Sequence, residues 1–139
     1  LQYMKSWLQQ AEAPIYSWLL SYCFDYMGTY PTWHCAEIPL AFHNIDLIEV
    51  YGNEDCEKLQ EEVSGAWVAF ARTGNPNHDG LVHWPAYDAA RAATMVFDKV
   101  TTVRDNYDQQ LMDLLDAYKP PFSIKMLHGN EEDEVAHPY

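Results

Sequence analysis

The 139-residue sequence predicts an α/β fold, and three observations carry that expectation. Ala13–Tyr26, "APIYSWLLSYCFDY", is dense in aromatic and aliphatic residues and nearly apolar throughout, as suits a strand buried on both faces of a mostly parallel sheet. In residues 54–73, Leu59, Val63, Trp67 and Phe70 recur at spacings of four, four and three, which makes one apolar helical face. Further on, "TMVFDK" and "TTVRD" read as short strands or extended segments, so strand and helix patterns alternate along the chain.

The elements follow in order. Residues 3–10 can end a helix, with Met4, Trp7 and Leu8 on one side. After the strand, "MGTYPT" is a loop by its Gly and Pro. Pro39 fits the first turn of a short helix running to about Phe42, because its missing N–H costs nothing there. His34 then lies on the loop entering that helix. Asn53 can cap the long helix, and Gly74 followed by Asn75-Pro76 ends it. A last helix, about 106–118, carries Tyr107, Leu111, Leu114, Leu115 and Tyr118 on one stripe, and Lys119-Pro120-Pro121 terminates it. Residues 1–119 form the structured segment. Residues 120–139 form a polar, acidic tail, for which a flexible state is expected.

Composition removes several classes of function. The formal charge of −13, with eight scattered basic residues, argues against a nucleic-acid partner, since phosphate contacts need clustered Lys and Arg. No apolar run reaches membrane-spanning length. The three cysteines, Cys23, Cys35 and Cys56, are odd in number and lack CxxC spacing, so neither a disulfide framework nor a zinc site is indicated. A reducing, cytoplasmic compartment is the default over a secreted one. The chain opens at Leu1 with no initiator Met and no signal-peptide pattern, which fits a segment with an upstream part.

The candidate chemistry centres on "YPTWHCAEIPLAFHN", Tyr30–Asn44. His34, Cys35, Glu37 and His43 could be drawn as a metal site, but none of them shows the i, i+4 pairing that puts two ligands on one helical face. His128, His137 and the acids from Glu131 to Glu134 read as a solvated tail. No metal and no cofactor is expected. Cys35 beside His34 invites a nucleophile reading, but adjacent loop residues point apart. A nucleophile elbow needs Gly-x-Ser-x-Gly, and Ser64, with Glu62 and Ala66 at the flanking positions, does not supply it. Ser6, Ser17, Ser21 and Ser123 fare no better. His34 remains as a candidate general base, a role that a histidine at a loop-to-helix junction does not usually have.

Several blocks, in order, give the sequence a resemblance to the C-terminal part of the type-B carboxylesterases, which are α/β-hydrolases that include the cholinesterases and the para-nitrobenzyl esterases. "APIYSWLLSYCFDY" resembles the family's late core strand. "WHCAEIPLAFHN" resembles the segment around the triad histidine, of the form His-x-x-Glu-(Ile/Leu)-Pro-x-x-Phe. "VSGAWVAFARTGNPN" resembles the helix and turn Trp-x-x-Phe-(Ala)-x-x-Gly-(Asn/Asp)-Pro, and "HWPAYD" and "TMVFD" resemble the blocks that follow. These matches span about residues 12–118; the acidic tail has no counterpart among them.

The resemblance implies the C-terminal portion of an α/β-hydrolase fold, incomplete by itself, in which His34 is the triad base and Glu37 lies behind the site in a supporting role. Position 35, often glycine or another small residue in relatives, is Cys here. In α/β-hydrolases the triad order is Ser, then acid, then His, so with only about thirty residues before His34 both partners are expected upstream. The implied substrate is a small-molecule carboxylic ester, and the implied partner is the upstream part of the same protein. Alone, the chain is expected to be inactive, and either to self-associate or to remain bound to an upstream fragment. The alternative is a non-catalytic binding or adhesion module on the same fold.

Overall fold

The computed structural model describes residues 12–107 and 109–118. These fall in two compact units, one ending at Tyr107 and one beginning at Asp108. In the first unit the elements are strand β1 (Ser17–Leu20), helix α1 (Ile38–Ala41), 3-10 turns at Ile45–Leu47 and Glu49–Tyr51, helix α2 (Glu54–Thr73), and strands β2 (Thr94–Phe97) and β3 (Thr102–Arg104). The second unit contributes helix α3 (Gln109–Tyr118), which begins three residues later than the apolar stripe suggests. The expected helix end at 3–10 and the acidic tail lie outside the described residues, as does the Lys119-Pro120-Pro121 stop.

The sheet is mixed. β1 runs parallel to β2 with Ser17 opposite Thr94 and Leu20 opposite Phe97, and β2 pairs antiparallel with β3. Met95, Val96 and Phe97 are all buried, so the strand covered on both faces is the central one, β2. The 13–26 run does not form one long buried strand. Only Ser17–Leu20 is paired, and both Trp18 and Leu19 remain 38% exposed. Aromatic density signals burial whatever the partner is, whereas ladder length depends on the neighbour, and β2 offers four residues. Beyond β1 the backbone stays engaged: Ser21 N–H donates to the Phe97 carbonyl at 2.9 Å, and Ser21 Oγ donates to Asp98 Oδ2 at 2.6 Å.

Helix α2 starts and stops where its caps dictate. The Asn53 side chain accepts from Cys56 N–H at 2.9 Å, and Glu54, Asp55 and Glu57 place negative charge against the first-turn dipole. Gly74 takes a left-handed φ of 74° and donates its N–H to the Phe70 carbonyl. Along the helix, Leu59, Val63 and Ala66 enter the core, but the apolar face does not stay buried to its end. Trp67 is half-buried and packs against the core, with ring centroids 5.1 Å from Trp18 of β1 and 6.2 Å from Phe97 of β2, whereas Phe70 is 48% exposed and meets Tyr16 edge-on.

The middle of α2 accommodates a histidine. A β-carbon at Gly65 would lie 2.6 Å from His78 Cε1, and the His78 ring bridges the Glu62 carbonyl through Nε2 and the Asp79 carbonyl through Nδ1. Gly65→Ala gains about 1 kcal/mol of helix propensity but forces the ring out, an overpacking cost of about 1–3 kcal/mol. The expected result is lower stability, with the loss reversed when His78→Ala is added. Urea denaturation of the two variants checks this, and a Gly65→Ala variant as stable as the parent would contradict the close approach.

Candidate active site

His34 stands at the corner of a tight turn. Ala36 N–H donates to the Trp33 carbonyl at 3.2 Å, closing a four-residue turn with His34 and Cys35 at its centre. Cys35 has φ 67°, whereas His34 does not take a positive φ, which is the pattern of a type II turn. Cys35 thus occupies the left-handed position that such turns ordinarily give to glycine. From this corner the His34 side chain is exposed. The described hydrogen bonds of histidine are those of His43 and His78, and none of them reaches His34.

Aromatic packing lies beneath the turn. Trp33 packs on Phe24 with ring centroids 4.8 Å apart, and Phe24 packs on Tyr51 at 4.6 Å and on Tyr22 at 5.0 Å. Phe24 and Tyr51 are fully buried, so the residue preceding His34 rests on a rigid aromatic stack. Sequence patterns did not single out Tyr51 or Phe24. Tyr51 sits in a segment with no hydrophobic period, and its contacts are long-range.

Past the turn the chain enters α1. Pro39 occupies its first turn, Leu40 is buried, and the half-buried Glu37 precedes the helix without capping it through its side chain. His43, just after α1, pairs with Glu61 of α2 at 2.8 Å and ties the two helices together. The hydrogen bond to Glu61 comes first in raising the His43 pKa above its ordinary 6.5; modest desolvation opposes it, and the Glu61 and Asp46 charges add to it. Because the folded pKa is raised, the pair's contribution is fully present below pH 6.5 and is lost as pH rises through the folded value. Glu61→Gln is expected to return the His43 titration, followed by NMR, toward 6.5. An unchanged midpoint would mean that the pair does not form.

The described serines, Ser17, Ser21 and Ser64, do not resemble nucleophiles. Ser64 is buried in the middle of α2, Ser17 accepts from Thr94 Oγ1 at 3.1 Å, and Ser21 donates to Asp98. Among the described residues no group of three or more His, Cys, Asp or Glu side chains is placed to hold a metal ion, so His34, Cys35, Glu37 and His43 are not drawn together as ligands. No described helix is long and apolar enough to cross a membrane. An apolar groove of about 510 Å³ lies between β1 and α2, lined by Trp18, Trp67, Phe70 and Trp84 among others, and His34 is not part of its wall.

Comparison with known proteins identifies the small mixed sheet and its long flanking helix as part of an α/β-hydrolase, and it gives the family. The model of the carboxylesterase family matches residues 1–115, and the chain belongs to that family. It is 29% identical over 110 residues to the para-nitrobenzyl esterase of Bacillus subtilis (strain 168), covering 73% of this chain and 22% of that protein. Over 55 residues it is 44% identical to a medium-chain fatty acyl-CoA hydrolase precursor of Anas platyrhynchos, 40% of this chain and 10% of that one. Among solved structures it is similar to an esterase from anaerobic Clostridium hathewayi described as able to hydrolyze aliphatic aromatic polyesters. That match has 39% identity and a TM-score of 0.69 over 76% of this chain and 21% of the other. The chain thus spans about a fifth or less of the length of these relatives.

Proposed function

We propose that this chain supplies the general base of a carboxylic-ester hydrolase, with His34 as the histidine of a Ser–acid–His triad whose other two members stand on an upstream segment. The observation that carries the reading is the turn at Trp33–Ala36, which presents His34 at an exposed corner held by a buried aromatic stack. A base must reach a hydroxyl on another element, and an exposed side chain on a rigid turn can do so. Family membership supports ester hydrolysis as the reaction. In the first step His34 takes the serine proton as the hydroxyl attacks the ester carbonyl, and then gives it to the departing alcohol. In the second it deprotonates a water that cleaves the acyl-enzyme. Glu37, half-buried at the entry to α1, supports the turn from behind.

The open side of β1 supports an upstream partner. Among the described residues β1 is paired on one side only, and Leu19 and Trp18, the latter on the wall of the apolar groove, stay 38% exposed. An exposed strand edge of this kind pairs with another chain when its own neighbour is missing. Alone, the 139 residues are expected to self-associate and to leave a short-chain nitrophenyl ester unhydrolysed; joined by the upstream segment, they are expected to turn it over. Light scattering and a chromogenic assay read the two. Turnover by the 139 residues alone that survives His34→Ala would sink the proposal.

A further inference from the structure

We propose that Tyr51 is a positioning residue that holds the His34 turn by donating a buried hydrogen bond to the backbone carbonyl of Ala36. This rests on the reading of His34 as the base. Tyr51 Oη lies 2.9 Å from the Ala36 oxygen, and both residues are 1% exposed. Ala36 is therefore tied on both sides: its N–H closes the turn onto Trp33, and its carbonyl is held by Tyr51. The Tyr51 ring also packs on Phe24 at 4.6 Å and edge-on to Trp33 at 6.0 Å. One side chain thus grips the residue before His34 and the residue two after it.

Tyr51 is in turn fixed to a rigid element. It ends the 3-10 turn Glu49–Tyr51, and its carbonyl accepts from the N–H of Asn53, the residue that caps α2. The start of a twenty-residue helix is therefore coupled, through two residues of chain, to the histidine turn. Burial, with Cys56 and Glu37 adding, pushes the Tyr51 hydroxyl up to about 12, so it remains a donor at any pH where an ester hydrolase works. The turn needs such a hold, because Cys35 at φ 67° occupies a left-handed backbone region that a residue other than glycine keeps only when its surroundings enforce it. A base displaced by about 1 Å from its proton can lose about 100-fold in rate.

Tyr51→Phe removes the donor and keeps the ring. In the 139-residue chain, amide exchange at Ala36 and Ile38, whose N–H groups bond within the turn, is expected to quicken about tenfold, while amides of Ala66–Phe70 in α2 keep their rates. In a complete ester hydrolase carrying these residues, kcat is expected to fall by about 10- to 100-fold with KM unchanged. Unchanged exchange in the turn, or an equal rise along α2, would overturn the clamp. So would a loosened turn with full kcat. Turnover that survives His34→Ala would instead locate the failure in the base assignment, leaving the exchange result to stand by itself.

Discussion

In a complete enzyme bearing these residues, His34→Ala is expected to lower ester turnover by about 10⁴-fold with little change in KM. The size of the effect follows from the role. Without a base the serine hydroxyl keeps its proton during attack, and the leaving alcohol departs without one. Both steps lose stabilisation that exists only in the transition state. The fold is expected to survive, because the His34 side chain is exposed and accepts none of the described hydrogen bonds. Exposed substitutions of this kind usually change stability by less than about 0.5 kcal/mol. A nitrophenyl-ester assay beside a thermal melt separates the two readouts. A variant with an unchanged melt and more than a tenth of parental turnover would remove His34 from the mechanism and favour a binding role for the fold.

The second large effect is on stability. Phe24→Ala is expected to cost about 3–5 kcal/mol, because the ring is fully buried and packs on Tyr22, Trp33 and Tyr51 at once. A small domain is stable by only about 5–15 kcal/mol, so this one truncation removes a large share. The loss should appear first at the histidine turn, since Trp33 and Tyr51 lose their common neighbour. The thermal midpoint is expected to drop by on the order of 10 °C or more. A shift of a degree or two would mean that the aromatic stack is not the support of the turn.

What the sequence disclosed and what it hid divide along physical lines. The ends of α2 were legible because caps are local: Asn53 and Gly74 act within four residues of themselves. The same holds for α1, whose start is fixed by Pro39. β1 was overestimated because an apolar aromatic run reports burial tendency, whereas its paired length was decided by β2, 77 residues away at Ser17 and Thr94. Phe70 fits the helical stripe, yet it stays 48% exposed on the wall of the groove it shares with Trp18 and Trp84. His34 was reached through the order of its neighbouring blocks, and the structure adds the turn that carries it. Tyr51 left no trace in any pattern, because its hydrogen bond and its ring contacts all reach residues fifteen or more positions away. Cys35 marks the converse case, since a left-handed turn position is invisible unless a glycine occupies it.

The most direct test of the base assignment is the reaction of the complete enzyme with an irreversible phosphonate ester, followed by mass spectrometry of the labelled peptide. Phosphonylation requires the same deprotonation of the nucleophile as acylation but no later turnover, so it isolates what a general base does. The predicted result is rapid labelling of one serine outside these 139 residues, slowed by several orders of magnitude in His34→Ala. Label on Ser17, Ser21 or Ser64, or equal labelling rates in parent and variant, would contradict it.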